Sequence, residues 1–277
     1  MTSLHKTQRV IFNADDFGRS TSINAAVIRA HREGVLTTAS LMVNGEAFEE
    51  AVDLAKCNPA LGVGLHLTLV LGYSALPQEK IPGLVNERGA FSDRPVVAGV
   101  RYFFAKSLRR QLQDEIGAQI EKFRSTGLEM DHLNGHLHFH LHPVVFDILM
   151  RRQADWKIPA MRLTRDQFCL NARMARGRWV YRVSHAIAFN VLCRRARPLL
   201  EQKSVHHTER VFGLLQDSRV TEDYLLKLLP VLPTGNMEIY SHPCLEKFPD
   251  EFAALVSPRV IKRVESLGLQ KCRYSDL

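Results

Sequence analysis

The chain lacks any apolar run approaching the ~18 residues that a membrane-spanning helix needs. The longest candidate, Ala186-Ile187-Ala188-Phe189-Asn190-Val191-Leu192-Cys193, is far too short, so a helical anchor is not expected. Met1 to Arg9 has no apolar core of the kind a secretory signal carries. Cysteine is sparse: Cys57, Cys169, Cys193, Cys244 and Cys272 are odd in number, widely spaced and form no CxxC. A disulfide framework or zinc ribbon is therefore not expected, and a reducing, cytoplasmic compartment is. No glycine-rich loop follows the first strand-like segment. Asp15-Asp16-Phe17-Gly18 stands there instead, and an acidic pair repels phosphate, which argues against nucleotide binding at this loop. No linker and no internal repeat interrupts the chain, so one domain over 1–277 is the simplest organisation.

Acidic residues are absent from Gln167 to Leu200, a stretch that holds Arg173, Arg176, Arg178, Arg182, Arg194, Arg195 and Arg197 among Trp179, Tyr181, Phe189 and Leu192. It reads as a basic amphipathic segment: either an outer helix with a solvated face or an element that meets an anionic membrane surface. The whole chain carries a net charge of +8 and a pI near 9.4. Such a balance suits nucleic acid, anionic lipid or an acidic substrate alike. A nucleic-acid-binding module is disfavoured, because no recognition motif and no stacking platform accompany the basic residues.

What is present is a globular composition, 45% hydrophobic and 24% charged over 277 residues, a size that buries about 75% of the unfolded chain's surface. Strand and helix signals alternate, which predicts βα units around a mainly parallel sheet. Strands are expected at Val10–Ala14, Leu36–Val43, Gly62–Leu69, Met130–Leu141, Ala160–Leu163 and Met237–Ser241. Helices are expected from the Ser20–Ser22 cap to Arg32, and over Glu46–Cys57, Leu108–Phe123, Pro143–Ala154, Thr221–Leu229 and Pro258–Leu267. Residues 72–99, with Pro77, Pro82 and Pro95, read as a long irregular excursion. Candidate ligands at three or more separate strand ends favour a distorted (β/α) TIM-like barrel over an open sheet, because a barrel gathers those ends on one face.

The chemistry-bearing residues stand at those ends. Asp15 and Asp16 would repel one another without a cation or a shared proton; a metal on one leaves the other as a general base. His66 follows the glycine-flanked strand Gly62-Val63-Gly64-Leu65. In His132-Leu133-Asn134-Gly135-His136-Leu137-His138-Phe139-His140-Leu141-His142, an extended chain puts the even residues on one face. His136 is the expected ligand there, with His138 and His140 lining the site or supporting it from behind. His242, before Pro243, has a side chain suited to protonating a leaving group.

These motifs resemble a known family. Asn13-Ala14-Asp15-Asp16-Phe17-Gly18, Gly64-Leu65-His66, His132-Leu133-Asn134-Gly135-His136-Leu137-His138 and Tyr240-Ser241-His242-Pro243 look like those of the YdjC-like carbohydrate deacetylases, which include chitooligosaccharide deacetylases. His136-Leu137-His138-Phe139-His140-Leu141-His142-Pro143, with Leu41 to Phe48, resembles most closely the hopanoid-biosynthesis-associated, HpnK-type branch. The resemblance implies a distorted barrel and one divalent metal on Asp16, His66 and His136, with Asp15 as general base and His242 as general acid. It further implies deacetylation of an N-acetylglucosamine-type sugar, in this branch on a glycosylated hopanoid, and a homodimer. Two imidazoles and a carboxylate suit zinc, with magnesium, manganese and iron as alternatives. Many relatives carry Asp-Ser where this chain has Asn134-Gly135. Competing readings are a chitooligosaccharide-type deacetylase and a metal phosphoesterase, which would need more carboxylates for a second ion.

Overall fold

The computed structural model describes residues 8–175, 177–216 and 218–277; Met1–Thr7, read above for a leader, and Arg176 of the basic stretch lie outside the described residues. The elements in order are β1 (Arg9–Phe17), α1 (Thr21–Glu33), β2 (Thr38–Leu41), α2 (Phe48–Lys56), β3 (Gly62–Leu67), α3 (Pro95–Phe104), α4 (Leu108–Ser125), β4 (Leu133–Gly135), α5 (Pro143–Arg152), α6 (Phe168–Met174), α7 (Trp179–Gln202), β5 (Arg210–Phe212), α8 (Glu222–Leu228), β6 (Asn236–Ser241), α9 (Pro249–Val256), α10 (Pro258–Ser266) and β7 (Gln270–Lys271). Local chemistry sets many of the boundaries. Ser20, Thr221 and Ser257 cap α1, α8 and α10 by accepting from backbone N–H groups. Proline opens α3, α5, α9 and α10, where its missing N–H has no helical partner to lose.

The described strands form one parallel sheet in the order β4-β3-β2-β1-β6-β5, with β7 beside the start of β1. The sheet curls because residues 159–165 lie between its two edges. Leu133 N donates to Ala160 O (2.9 Å) and Arg162 N to Leu133 O (3.1 Å) on one side; Met161 N donates to His206 O (2.8 Å) and Val211 N to Arg165 O (3.2 Å) on the other. The expected strand at Ala160–Leu163 is this bridging segment, and the architecture is the distorted (β/α) TIM-like barrel. β1 to β3 are buried almost throughout, as strands covered on both faces must be. Gly64 makes room inside: a Cβ there would stand 2.5 Å from the His132 ring, which fills the barrel between Ser40 and Tyr274.

Two expectations fail. Met130–Leu141 is not one extended segment; only Leu133–Gly135 is strand, and His136–Leu141 winds into a 3-10 turn with Leu137 (φ 48°) and His138 (φ 59°) left-handed. Pairing with β3 stops at Leu67–Gly135, so beyond it no neighbour enforces the two-residue alternation. The excursion over 72–99 is also less irregular than its prolines suggest. Tyr73–Ala90 and Val85–Phe91 pair across it, the buried Glu115 accepts from Ala75 N and Leu76 N, and Pro95 begins α3 rather than prolonging a loop.

Candidate active site

Because the strands are parallel, β1, β3, β4 and β6 deliver their C-terminal ends to one rim. The register between β1 and β2 shifts between Ala14 and Phe17, and Asp16 is left-handed (φ 66°). This conformation costs an L-residue about 1–2 kcal/mol, which Asp tolerates better than most. The break in alternation brings both neighbouring carboxylates into the site. Asp15 borders a cavity together with His66 and His136, while Asp16 contacts those two imidazoles directly.

Among the described residues, Asp16, His66 and His136 form a group whose donor atoms could hold one metal ion. Asp16 Oδ1 lies 3.0 Å from His136 Nδ1 and 3.3 Å from His66 Nε2, and one donor atom from each residue lies within 4.8 Å of the others. Arg19 Nη1 holds the other oxygen, Oδ2, at 2.8 Å. The proton on His66 can be assigned from its neighbours. Asn134 Nδ2 donates to Asp15 Oδ1 (3.2 Å) and Ser40 Oγ (2.8 Å), so Asn134 Oδ1 is the acceptor facing His66 Nδ1 at 2.7 Å. Nδ1 therefore carries the hydrogen, and in the neutral ring Nε2 turns a lone pair toward the Asp16 carboxylate. Nε2 thus faces the Asp16 carboxylate at 3.3 Å, and a cation or a proton between them would join the two. Ligands about 2.0–2.2 Å from a tetrahedral ion stand about 3.3–3.6 Å apart, close to the 3.0 and 3.3 Å that separate Asp16 Oδ1 from the two imidazoles.

Asp15 is held in another way. The guanidinium of the fully buried Arg162 grips it with two nitrogens, Nη1 to Oδ2 at 2.7 Å and Nη2 to Oδ1 at 2.8 Å. Asn13 Nδ2 adds a third donor to Oδ1 at 2.9 Å. Burial alone would raise this acid's pKa, but the Arg162 charge outweighs it and holds the carboxyl well below the usual carboxylate range. Arg162 also meets Glu238 Oε1 (Nη2, 2.6 Å) and lies over the Tyr240 ring (4.3 Å), and Glu238 in turn accepts from Tyr274 OH. Arg162, Glu238 and Tyr274 were given no role by the sequence. A signal was available: Arg162 and Glu238 interrupt apolar strand segments, and a charge inside such a strand needs a buried partner.

The remaining candidates separate. His242, at the end of β6, is partly exposed and stands with Nδ1 3.7 Å from Glu251 Oε2 of α9. That is too long for a hydrogen bond but close enough for an ion pair. Burial opposes protonation, yet Glu251, with Asp15 and Asp16 beyond it, raises the imidazole pKa to about 9. His138 lines the cavity, with Nε2 3.0 Å from Tyr240 OH and its ring 5.2 Å from that of Phe189 on α7. Desolvation, reinforced by the nearby Arg162 charge, pushes its pKa well down and keeps it neutral. His140 is fully buried, donates from Nε2 to Arg162 O (2.9 Å) and is pushed down to about 3, first by burial. It supports Arg162 from behind and does not line the cavity.

Two spaces meet at this rim. One, of about 460 Å³, is bordered by Asp15, His66, His136, His138 and His242 and walled by Val96, Leu137, Phe139, Tyr181, Phe189 and Tyr240. The other, of about 550 Å³, is more polar and is bordered by Asp16, Arg19, Asn44, Glu46, Tyr73, Glu246 and Lys247; His242 borders both.

Fold and rim together define a TIM-like barrel protein with a candidate metal centre at the carboxyl ends of its strands. Residues 9–266 match the family model described as YdjC-like protein, and the chain belongs to that family. Among curated relatives, the carbohydrate deacetylase of Brevibacillus brevis is 39% identical over 151 residues, 54% of this chain and 58% of the relative. That of Geobacillus stearothermophilus is 40% identical over 150 residues, 54% of this chain and 57% of the relative. The match thus spans a little over half the length of these relatives. Of solved structures, one from Enterococcus faecalis V583 named for cellobiose-phosphate cleavage superposes with TM-score 0.75 at 24% identity, covering 98% of both chains, and so shares the fold.

Proposed function

We propose that this chain is a metal-dependent N-deacetylase acting on an N-acetylglucosamine-type sugar carried by an apolar lipid of the hopanoid kind. The observation that carries the proposal is the Asp16–His66–His136 cluster beside a cavity that Asp15 and His242 both border. Family membership and the printed activity of the relatives support the sugar amide as substrate. The resemblance of the His136–Pro143 run to the hopanoid-associated branch supports the lipid, as does the aromatic and aliphatic wall of the cavity.

A divalent ion held by Asp16, His66 and His136, zinc or magnesium foremost, would supply the Lewis acidity that polarises an amide carbonyl and acidifies water. The residues of the chain do the rest. Asp15 Oδ1 already accepts three hydrogen bonds and Oδ2 only one, so Oδ2 has the capacity to take a proton from the attacking water. Arg162 keeps Asp15 ionised and fixes its plane. As water adds to the acetyl carbonyl and the C–N bond breaks, protonated His242 gives its proton to the departing amine. The products are acetate and the free amino sugar. Neutral His138 and the protonated Tyr240 phenol remain as hydrogen-bonding groups on the cavity wall.

A second reading, a chitooligosaccharide-type deacetylase, is favoured by one observation: the polar space beside Asp16 has charged and amide side chains suited to further sugar units. Mass spectrometry of metal-loaded protein incubated with N-acetylglucosaminyl hopanoid or with chitooligosaccharide separates the two. The proposal expects one acetyl group lost from the glycolipid, and no loss with Asp15→Asn. Turnover of the oligosaccharide alone selects the second reading; full activity in Asp15→Asn removes Asp15 from the mechanism.

A further inference from the structure

Two helices wall the apolar cavity, α3 through Pro95 and Val96 and α7 through Tyr181, His185 and Phe189. Both turn an apolar stripe toward solvent as well. On α7, Val180, Val183, Ile187 and Val191 recur at helical spacing and are 86%, 41%, 62% and 61% exposed. On α3, Val96, Val100 and Phe104 do the same at 80%, 55% and 74%. An amphipathic helix of a globular protein ordinarily turns such a stripe inward. Here the inward residues are Ala98 and Tyr102 on α3, and Arg182, Cys193, Ala196 and Leu200 on α7. Scattered exposed valines are ordinary, but two ordered stripes on the two helices beside one cavity mark an interaction surface.

The charge around the stripes identifies what meets them. No acidic residue occurs between Asp93 and Asp114, a segment with Arg94, Arg101, Lys106, Arg109 and Arg110, and none occurs from Gln167 to Leu200. Arg101, Lys106, Arg194 and Arg195 are exposed. A second copy of this chain would bring like charges together across a two-fold contact, which is unfavourable. A bilayer with anionic headgroups offers the complement to both features at once: negative charge for the arginines and an acyl boundary for valine, isoleucine and phenylalanine.

We propose that α3 and α7 form a docking surface for an anionic phospholipid bilayer, which sets the mouth of the apolar cavity against the membrane. This rests on the reading of a lipid-borne substrate, since such a molecule has to pass from the bilayer into the site. The arginine-rich segment is only half of the surface; α3 is the other half.

The test uses the full chain with vesicles of phosphatidylcholine alone or with roughly one-third phosphatidylglycerol. Co-sedimentation and the emission of Trp179, which is exposed whereas Trp156 is buried, report binding. Binding to the anionic vesicles with a blue shift of Trp179 is expected. Val180→Ser with Ile187→Ser, Phe104→Ser alone, and Arg194→Glu with Arg195→Glu should each weaken it, the charge reversal by about thirtyfold or more. All three variants should hydrolyse a soluble N-acetylated sugar as the parent does. Binding that ignores headgroup charge and these substitutions overturns the proposal. So does a dimer, seen by sedimentation velocity, that Val180→Ser with Ile187→Ser dissociates. Vesicle binding without deacetylation of any substrate would sink the functional reading and leave the docking surface standing; deacetylation without vesicle binding would do the reverse.

Discussion

Arg162 and Asp15 meet side-on inside the barrel, two guanidinium nitrogens on two carboxylate oxygens at 2.7 and 2.8 Å, with both side chains essentially out of contact with water. A pair of this kind contributes little to net stability when intact but is costly to break, because its loss strands a buried charge. Arg162→Met leaves both Asp15 and Glu238 unpaired. It is expected to cost about 3–5 kcal/mol in urea unfolding, and any folded protein should have lost activity. Arg162→Lys keeps a charge but not the fork, and should regain stability more than rate. Wild-type stability in Arg162→Met would show that the pair is not what holds Asp15.

The pH dependence follows from His242. Its folded pKa of about 9 lies above the ordinary histidine value of 6.5. The stabilisation from its protonated form is therefore complete below 6.5 and is lost as pH rises through about 9. Unfolding midpoints should fall over that interval, and the rate should show a basic limb near its upper end. Glu251→Gln removes the charge that raises this pKa, so the limb should move toward neutral pH. A limb that stays put in Glu251→Gln would separate His242 from the titration.

Removal of metal provides a third check. An ion held at about 100 times its dissociation constant stabilises the fold by about 2.7 kcal/mol, roughly 5 °C in melting temperature for a chain of this size. Chelator should lower the melting temperature by that order, zinc or another divalent ion should restore it, and Asp16→Ala should be insensitive to both. A chelator-independent melt in the parent chain would exclude an ion on this cluster.

Asn134 links three groups of the site. Its amide donates to Asp15 Oδ1 and Ser40 while its oxygen orients His66. Asn134→Asp would set a second carboxylate 3.2 Å from Asp15 with no hydrogen between them. The expected cost is about 1–3 kcal/mol in unfolding experiments, with a loss of rate because Asp15 is no longer held by the same donors. Unchanged stability and rate would show that this position tolerates either side chain.

Much of the rim was legible because its residues end apolar strand signals. Asp15-Asp16, His66, His136 and His242 each follow such a run, and parallel strands gather those ends on one face. The His136–His142 tract was legible as chemistry but not as conformation. Period-two reasoning needs a ladder partner, and β3 stops at Leu67. Pro95 misled in the opposite direction: the same residue that breaks a helix interior also begins one.

Sequence alone was enough to determine the parallel βα architecture and the donor types at its rim, since periodicity and residue chemistry are local properties. Tertiary structure decided which donors share a point. The left-handed turn at Asp16 splits two adjacent carboxylates between different partners. Arg162, 147 positions from Asp15, becomes its counter-ion, and Glu251 becomes that of His242. These pairings depend on where closing the barrel brings distant segments together, and nothing within either segment specifies that distance.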